Sequence, residues 1–215
     1  MLIRFELDNW MSFRERTEFS MVATKERQHG ERVPRIRKYQ TRALPVATIY
    51  GGNASGKTNL CRALNFVRRM VVQGTHQPKA RIPVEPFRLD AEARNRPSRF
   101  LIVLFSADRM YEFSFASTTD EFVEERLTEI TSSTEKTLYT RDHGRIDFHP
   151  SLRDNPRLEF VFEGTRPNQL FLTNSVLQNL TVFRPVYDWF NETLELLAPD
   201  SRFQYFERFI QEKHP

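Results

Sequence analysis

One cysteine stands in 215 residues, Cys61, so a disulfide framework is excluded and nothing points to an oxidising compartment. It falls among residues of helical period and is expected to pack as a small apolar side chain. Histidine is equally sparse, with five in the chain. His143 and His149, near Asp142 and Asp147, lack the cysteines or His-x-x-x-His spacing of a dedicated metal site, and they read as turn and surface residues. Long apolar runs are missing too. The longest, Phe100 to Phe105, is far below the ~20 residues that span a bilayer, and no signal-peptide pattern opens the chain. The expectation is a cytoplasmic protein without a membrane partner. No Ser/His/Asp or Cys/His constellation stands out. Charge of neither sign dominates: 32 basic against 28 acidic residues leave +4, which permits nucleic acid or an acidic partner without requiring either. Extensive disorder is excluded by a 39% hydrophobic share and 19 phenylalanines.

Glycine is scarce as well, and its placement is informative. Three of the seven lie in Gly51-Gly52-Asn53-Ala54-Ser55-Gly56-Lys57-Thr58, a glycine, four residues, then Gly-Lys-Thr. Such a loop lets backbone N–H groups close around phosphate where side chains would block the approach. Its four fixed positions recur by chance in roughly one chain of this length in a hundred. Val46 to Tyr50, apolar and partly β-branched, reads as a buried parallel strand leading into it. Leu60, Leu64, Val67 and Val71 recur at helical spacing behind it, and Gly74 and Pro78 stop the pattern. Phosphate is thereby delivered to a helix N-terminus. Lys57 is the candidate catalytic residue, reaching the β- and γ-phosphates of ATP. Residues Gly51, Gly52, Asn53, Ala54, Ser55, Gly56, Lys57, Thr58 and Asn59 form the candidate nucleotide site, with the Thr58 hydroxyl a ligand for Mg²⁺.

In chain order, Leu2, Ile3, Phe5 and Leu7 alternate with Arg4 and Glu6 as a strand. Asp8-Asn9-Trp10-Met11-Ser12-Phe13 followed by Thr17 to Met21 reads as a hairpin. Lys25 to Arg42 is a basic stretch with Arg27, Arg32, Arg35, Arg37 and Lys38; Gly30 and Pro34 break any helix, and His29 reads as surface. Its functional reading is a nucleic-acid backbone contact and its plain reading an exposed connection. Pro83 and Pro86 keep residues 81 to 87 out of a central strand. Strands follow at Phe100 to Phe105 and Met110 to Ala116 around Ala107-Asp108-Arg109. Others fall at Phe122 to Ile130 and on either side of Asp142-His143-Gly144. Leu158 to Glu163 reads as one more strand. Helical spacing then returns at Leu170, Leu172, Val176, Leu177 and Leu180, and beyond Pro185 at Val186, Trp189, Phe190, Leu194 and Leu197. Phe203, Phe206, Phe209 and Ile210 begin a last segment.

The opening strand, Asn9-Trp10-Met11-Ser12-Phe13, Ile49-Tyr50-Gly51-Gly52-Asn53-Ala54-Ser55-Gly56-Lys57-Thr58 and Pro86-Phe87-Arg88-Leu89-Asp90 together resemble the ABC-type ATPase heads of the RecF, SMC and SbcC group. Within it the likeness is to ATPase subunits of bacterial anti-phage defence, of the RloC-like, OLD-like, Septu or PARIS kind. The resemblance implies an α/β P-loop NTPase fold, the N-terminal lobe of an ABC-type head: residues 1–168 form a nucleotide-binding lobe of P-loop core and antiparallel β arm, and 169–215 the start of an incomplete helical lobe. It implies ATP and Mg²⁺ as cofactors, with Gln178 or Gln169 sensing the metal. Partners implied are a second copy of the head, forming a homodimer around ATP, and a nuclease or other effector.

A Leu-Ser-Gly-Gly signature, an apolar strand ending in Asp-Glu and a switch histidine are not found. Phosphoryl transfer needs a residue that positions water and a further source of positive charge. The expectation is therefore the N-terminal half of a longer ATPase, a head completed by another chain, or a protein that binds nucleotide with little turnover. Two readings of another kind stay open: a non-hydrolysing nucleic-acid-binding or assembly module with a switch-type nucleotide site, contacting DNA or RNA through the basic stretch, and a RecF-type DNA-repair ATPase.

Overall fold

Alternating apolar residues at the N-terminus form β1 (Leu2–Asp8), which pairs antiparallel with β2 (Thr17–Ser20), Phe5 opposite Phe19. The structure, a computed structural model, describes residues 1–24 and 30–196. The expectations placed on Lys25, Arg27 and His29, and on Leu197, Phe203, Phe206, Phe209 and Ile210, lie outside the described residues. The basic stretch contains a small ladder of β3 (Arg35–Ile36) and β4 (Thr41–Arg42). Helix α1 (Lys57–Val72) follows the glycine loop. A meander then runs through β5 (Ser98–Ser106), β6 (Arg109–Ser117), β7 (Phe122–Ile130), β8 (Glu135–Asp142) and β9 (Arg145–Phe148). Three helices close the described chain: α2 (Pro156–Glu163), α3 (Phe171–Leu177) and α4 (Arg184–Asp188), the last continuing into a π-helical turn at Trp189–Thr193.

The seven-stranded sheet has the order β2-β1-β5-β6-β7-β8-β9 and is antiparallel throughout. Ala107 and Asp108 turn β5 into β6 with φ of 49° and 58°, the left-handed geometry whose twist matches that of paired strands. On the inner face, Phe5, Leu7, Phe100, Ile102, Phe113, Phe115, Leu127 and Tyr139 are buried. Against them lies the apolar stripe of α1, Leu60, Ala63, Leu64, Val67 and Val71, in one cluster that also takes in Leu172, Phe183, Val186 and Phe190. Residues 169–196 thus share the core of the sheet. Trp10, Phe66, Phe100 and Phe115 stack in succession, with ring centroids 4.9, 5.1 and 5.3 Å apart. On the outer face a smaller cluster of Ile3, Val103 and Met110 is covered by Ile36 and Ala43 of the β3–β4 hairpin.

The helices are attached to the sheet by a buried carboxylate. Glu125 of β7 accepts hydrogen bonds from the Phe171 and Leu172 N–H groups (2.7 and 2.9 Å) and from the Tyr139 hydroxyl (2.8 Å). It therefore caps α3, which has no side-chain cap of its own. Arg141 lies 3.5 Å from Glu125 and donates to the carbonyls of Gln169, Arg166 and His143. Burial and the Glu125 charge push the Tyr139 hydroxyl pKa well above its ordinary value.

Two expected strands are corrected. Leu158 to Glu163 is helical: the Asn155 side chain caps the Arg157 N–H, Pro156 sits in the first turn, and Leu158 and Val161, three apart, are buried. Val46 to Tyr50 forms no strand, and Val46 and Tyr50 are 74% and 88% exposed. Its β-branched run has no neighbouring strand among the described residues, and without a ladder partner an extended segment stays unpaired. The other strands and the hairpin turns stand where periodicity places them. No helix among the described residues is long and apolar enough to cross a membrane.

Removing the Glu125 carboxylate leaves Arg141 buried without its counter-charge and two helix N–H groups without an acceptor. Glu125→Ala should lower unfolding stability by about 3–5 kcal/mol, measured as a reduced urea midpoint against wild type.

Candidate functional site

The glycine loop enters α1 through Gly56, the helix N-cap, whose φ of +93° is left-handed. Ala54 is left-handed too, at φ 62°, an uncommon geometry for a residue with a Cβ. Inside the loop the Ser55 N–H donates to the Gly52 carbonyl at 3.3 Å, and the helix ladder begins with Leu60 N–H on the Gly56 carbonyl at 3.1 Å. Lys57 folds back over the loop. Its Nζ donates to the Gly51 and Gly52 carbonyls at 2.7 Å each and to Ser55 Oγ at 3.3 Å. The loop is lined by Gly51, Gly52, Asn53, Ala54 and Ser55, all exposed. A Cβ on Gly51 would meet Ser55 Oγ at 2.6 Å, whereas one on Gly52 would meet nothing within 4 Å. The space above Gly52 is open to a ligand.

The loop rests on the hairpin corner between β1 and β2. Trp10 and Phe13 exchange backbone hydrogen bonds of 2.8 and 2.7 Å, folding the corner tightly. Trp10 Nε1 donates to the Asn59 carbonyl at 3.1 Å, and Asn59 Nδ2 donates to Ser12 Oγ at 3.0 Å. A Cβ on Gly56 would lie 3.0 Å from Ser12 Oγ and 3.4 Å from Phe13 Cζ, so the corner is packed directly on the helix N-cap. The corner is set by Asn9, buried at φ 54°. Its amide donates to the carbonyls of Ala93 (2.7 Å) and Arg96 (2.9 Å), and its Oδ1 accepts from the Phe87 N–H (3.1 Å). Met11 N–H donates to Glu85 O at 2.7 Å. The segment Pro86 to Asp90 is thereby tied to the corner and the corner to the loop. Sequence reasoning had these phrases as separate marks of a family and missed that they build one support. The signal was the pair Asn9-Trp10, a residue that tolerates left-handed backbone beside one that seeks both burial and an acceptor.

Among the candidate ligands, Thr58 is exposed, and its hydroxyl makes no hydrogen bond among the described residues. Asn59 faces the corner rather than the loop opening. Gln178 is not brought to the site. It ends α3, its carbonyl accepting from Arg157, and α3 is fastened to the far end of α1, where Thr173 Oγ1 donates to Val71 O at 2.8 Å. Val71 is fourteen residues beyond Lys57, about 21 Å along a helix. Gln169 lies in the same region, its carbonyl bonded to Arg141. Cys61, expected to pack, is exposed on the face of α1 that also carries Thr58, Arg62, Asn65 and Arg69, because the sheet covers only the Leu60, Leu64 and Val67 side. His143 and Asp142 form an exposed pair at 2.7 Å in the β8–β9 turn, which raises the His143 pKa. Among the described residues no group of three or more His, Cys, Asp or Glu side chains could hold a metal ion.

A strand-poor glycine loop on a helix N-terminus, braced by the edge of a large antiparallel sheet, defines the N-terminal lobe of a P-loop NTPase. Residues 46–214 match the family described as "AAA domain, putative AbiEii toxin, Type IV TA system", and the chain belongs to this family, whose members are P-loop ATPases of the ABC/SMC-like type. No curated protein matches the chain.

The two loop glycines should respond differently to a methyl group. Gly56→Ala forces a Cβ into left-handed backbone against Ser12, and unfolding stability should fall by about 1–2 kcal/mol. Gly52→Ala, with open space at its Cβ, should stay within about 0.5 kcal/mol of wild type in nucleotide-free buffer. Thermal unfolding of the two variants side by side checks the contrast.

Proposed function

We propose that the chain is the nucleotide-binding lobe of an ABC/SMC-like ATPase, holding ATP with Mg²⁺ at Gly51 to Asn59. The observation that carries this reading is Lys57 Nζ, poised between the Gly51 and Gly52 carbonyls at the mouth of a loop whose N–H groups and helix terminus favour an anion. Phosphate entering above Gly52 draws the ammonium off those carbonyls onto the β- and γ-oxygens, exchanging neutral acceptors for charged ones. The free Thr58 hydroxyl is placed one residue on to ligate Mg²⁺, which when bound neutralises phosphate charge. Phosphoryl transfer also needs a group that orients water and a second cation, which on this reading come from more of the polypeptide or from a partner.

On this reading nucleotide state controls pairing of two heads. Binding favours one arrangement and hydrolysis releases it. The paired heads act in the cytoplasm on an effector, a nuclease in anti-phage defence or the toxic arm of a toxin–antitoxin system. The support is the resemblance of the loop and opening phrases and the family's own description.

Titration calorimetry with ATP and Mg²⁺ tests the site. Lys57→Ala should weaken binding at least tenfold, about 1.4 kcal/mol, and equal affinities for the two proteins would overturn the nucleotide reading. A chain that stays monomeric at saturating ATP would count against head pairing.

A further inference from the structure

The β3–β4 hairpin lies on the outer face of the sheet, and its charge differs in kind from the rest of that surface. Elsewhere five arginines are matched with carboxylates, Arg99 with Glu124, Arg109 with Glu129, Arg14 with Asp90, and Arg4 and Arg16 with Glu6, while Arg126 donates to Thr128 and Thr137. Such pairs mark an ordinary solvated face. Residues 30–42 hold Arg32, Arg35, Arg37, Lys38 and Arg42 against a single acid, Glu31. Arg35 and Arg37 are exposed, and among the described residues neither side chain has a hydrogen bond or ion pair. With Lys38 they line a groove of about 440 Å³ whose one acidic side chain is Asp108.

These cations are held on a fixed mount. Ile36 and Ala43 are buried against Ile3, Val103 and Met110. The Tyr39 hydroxyl accepts from the Met110 N–H at 3.0 Å, and Lys38 Nζ donates to the Asp108 carbonyl at 3.2 Å. The strands on either side tie the hairpin down through Ala23 N–H to Arg42 O and Leu44 N–H to Met21 O. Ile36 turns inward at the end of β3, and the residues on either side of it, Arg35 in the strand and Arg37 at the start of a 3-10 turn, are exposed. Guanidinium is the side chain that grips phosphate with two parallel hydrogen bonds.

We propose that this hairpin binds the phosphate backbone of a nucleic-acid duplex without reading its sequence. A single-stranded ligand fits less well, because it calls for exposed aromatic rings to stack on bases. The one aromatic here, Tyr39, has its hydroxyl engaged and its ring edge-on to Phe105 at 6.1 Å. The surface is separate from the glycine loop and does not rest on the nucleotide reading.

Fluorescence anisotropy of the full chain with a fluorescein-labelled 20-base-pair DNA duplex, and with the corresponding RNA duplex, over 50–200 mM NaCl tests the proposal. Three phosphate contacts predict a log–log salt slope of about −2.7. The double variant Arg35→Gln/Arg37→Gln should lose about 1.8 of that slope and bind at least tenfold more weakly at 100 mM NaCl. Arg35→Lys/Arg37→Lys should keep most of the slope, and both variants should bind ATP like wild type. Equal affinity for the two duplexes, or a preference for either, supports the proposal. It is overturned if wild type fails to bind duplex, if the glutamine variant keeps the full slope, or if single strands or phosphatidylserine vesicles bind more tightly than duplex.

Discussion

The buried side chain of Asn9 is the constraint on which the candidate site depends. Its amide and carbonyl reach three backbone groups in the segment between Phe87 and Arg96, and its own carbonyl accepts from Ser98 Oγ. An amide so enclosed has no water to fall back on, and any rearrangement would strand polar groups in the core. The left-handed backbone at Asn9 and Met11 is held by those bonds. It turns the chain so that Trp10 can both bury its ring against Phe66 and Phe100 and donate to the first turn of α1. The position of Gly56, and with it the shape of the loop, follows from that corner.

At its other end α1 is held by polar contacts from the helices. Thr173 and Tyr187 donate to the carbonyls of Val71 and Val72, and Arg68 donates to Phe190 and Leu194. The Glu125 carboxylate fixes α3 for the same purpose, so the sheet determines both where the helices sit and where α1 ends. Helix α1 is thus rigid along one side, while Thr58, Cys61, Arg62 and Arg69 on the other side, and Val46 to Tyr50 before the loop, face solvent. The phosphate cradle is supported from beneath and open above.

The two faces of the sheet carry different work. The inner face supplies the aromatic core that positions the loop. The outer face is covered at one end by the basic hairpin and elsewhere carries ion pairs such as Arg99–Glu124 and Arg109–Glu129. The helix behind the glycine loop and the basic hairpin pack on opposite faces of one sheet.

The glycine loop, the helix behind it and the meander were legible in the sequence because each rests on local rules: glycines where backbone must close on an anion, apolar residues at 3.6 spacing, alternation between left-handed turns. Residues 158 to 163 misled because a short apolar run has no period of its own, and Asn155-Pro156, a cap and a first-turn proline, settles it as helix. Val46 to Tyr50 carries the composition of a buried strand, but a strand exists only with a neighbour to share its hydrogen bonds, and that lies outside local sequence. Spacing and composition were enough for a phosphate loop and a β-rich arm. Tertiary packing alone has Asn9, Trp10 and Ser12 brace that loop, fastens the helix that carries Gln178 to the far end of α1, and lets Glu125 join helices to sheet. The bracing and joining contacts link residues 46 to 84 positions apart, and their partners are chosen by packing rather than by spacing.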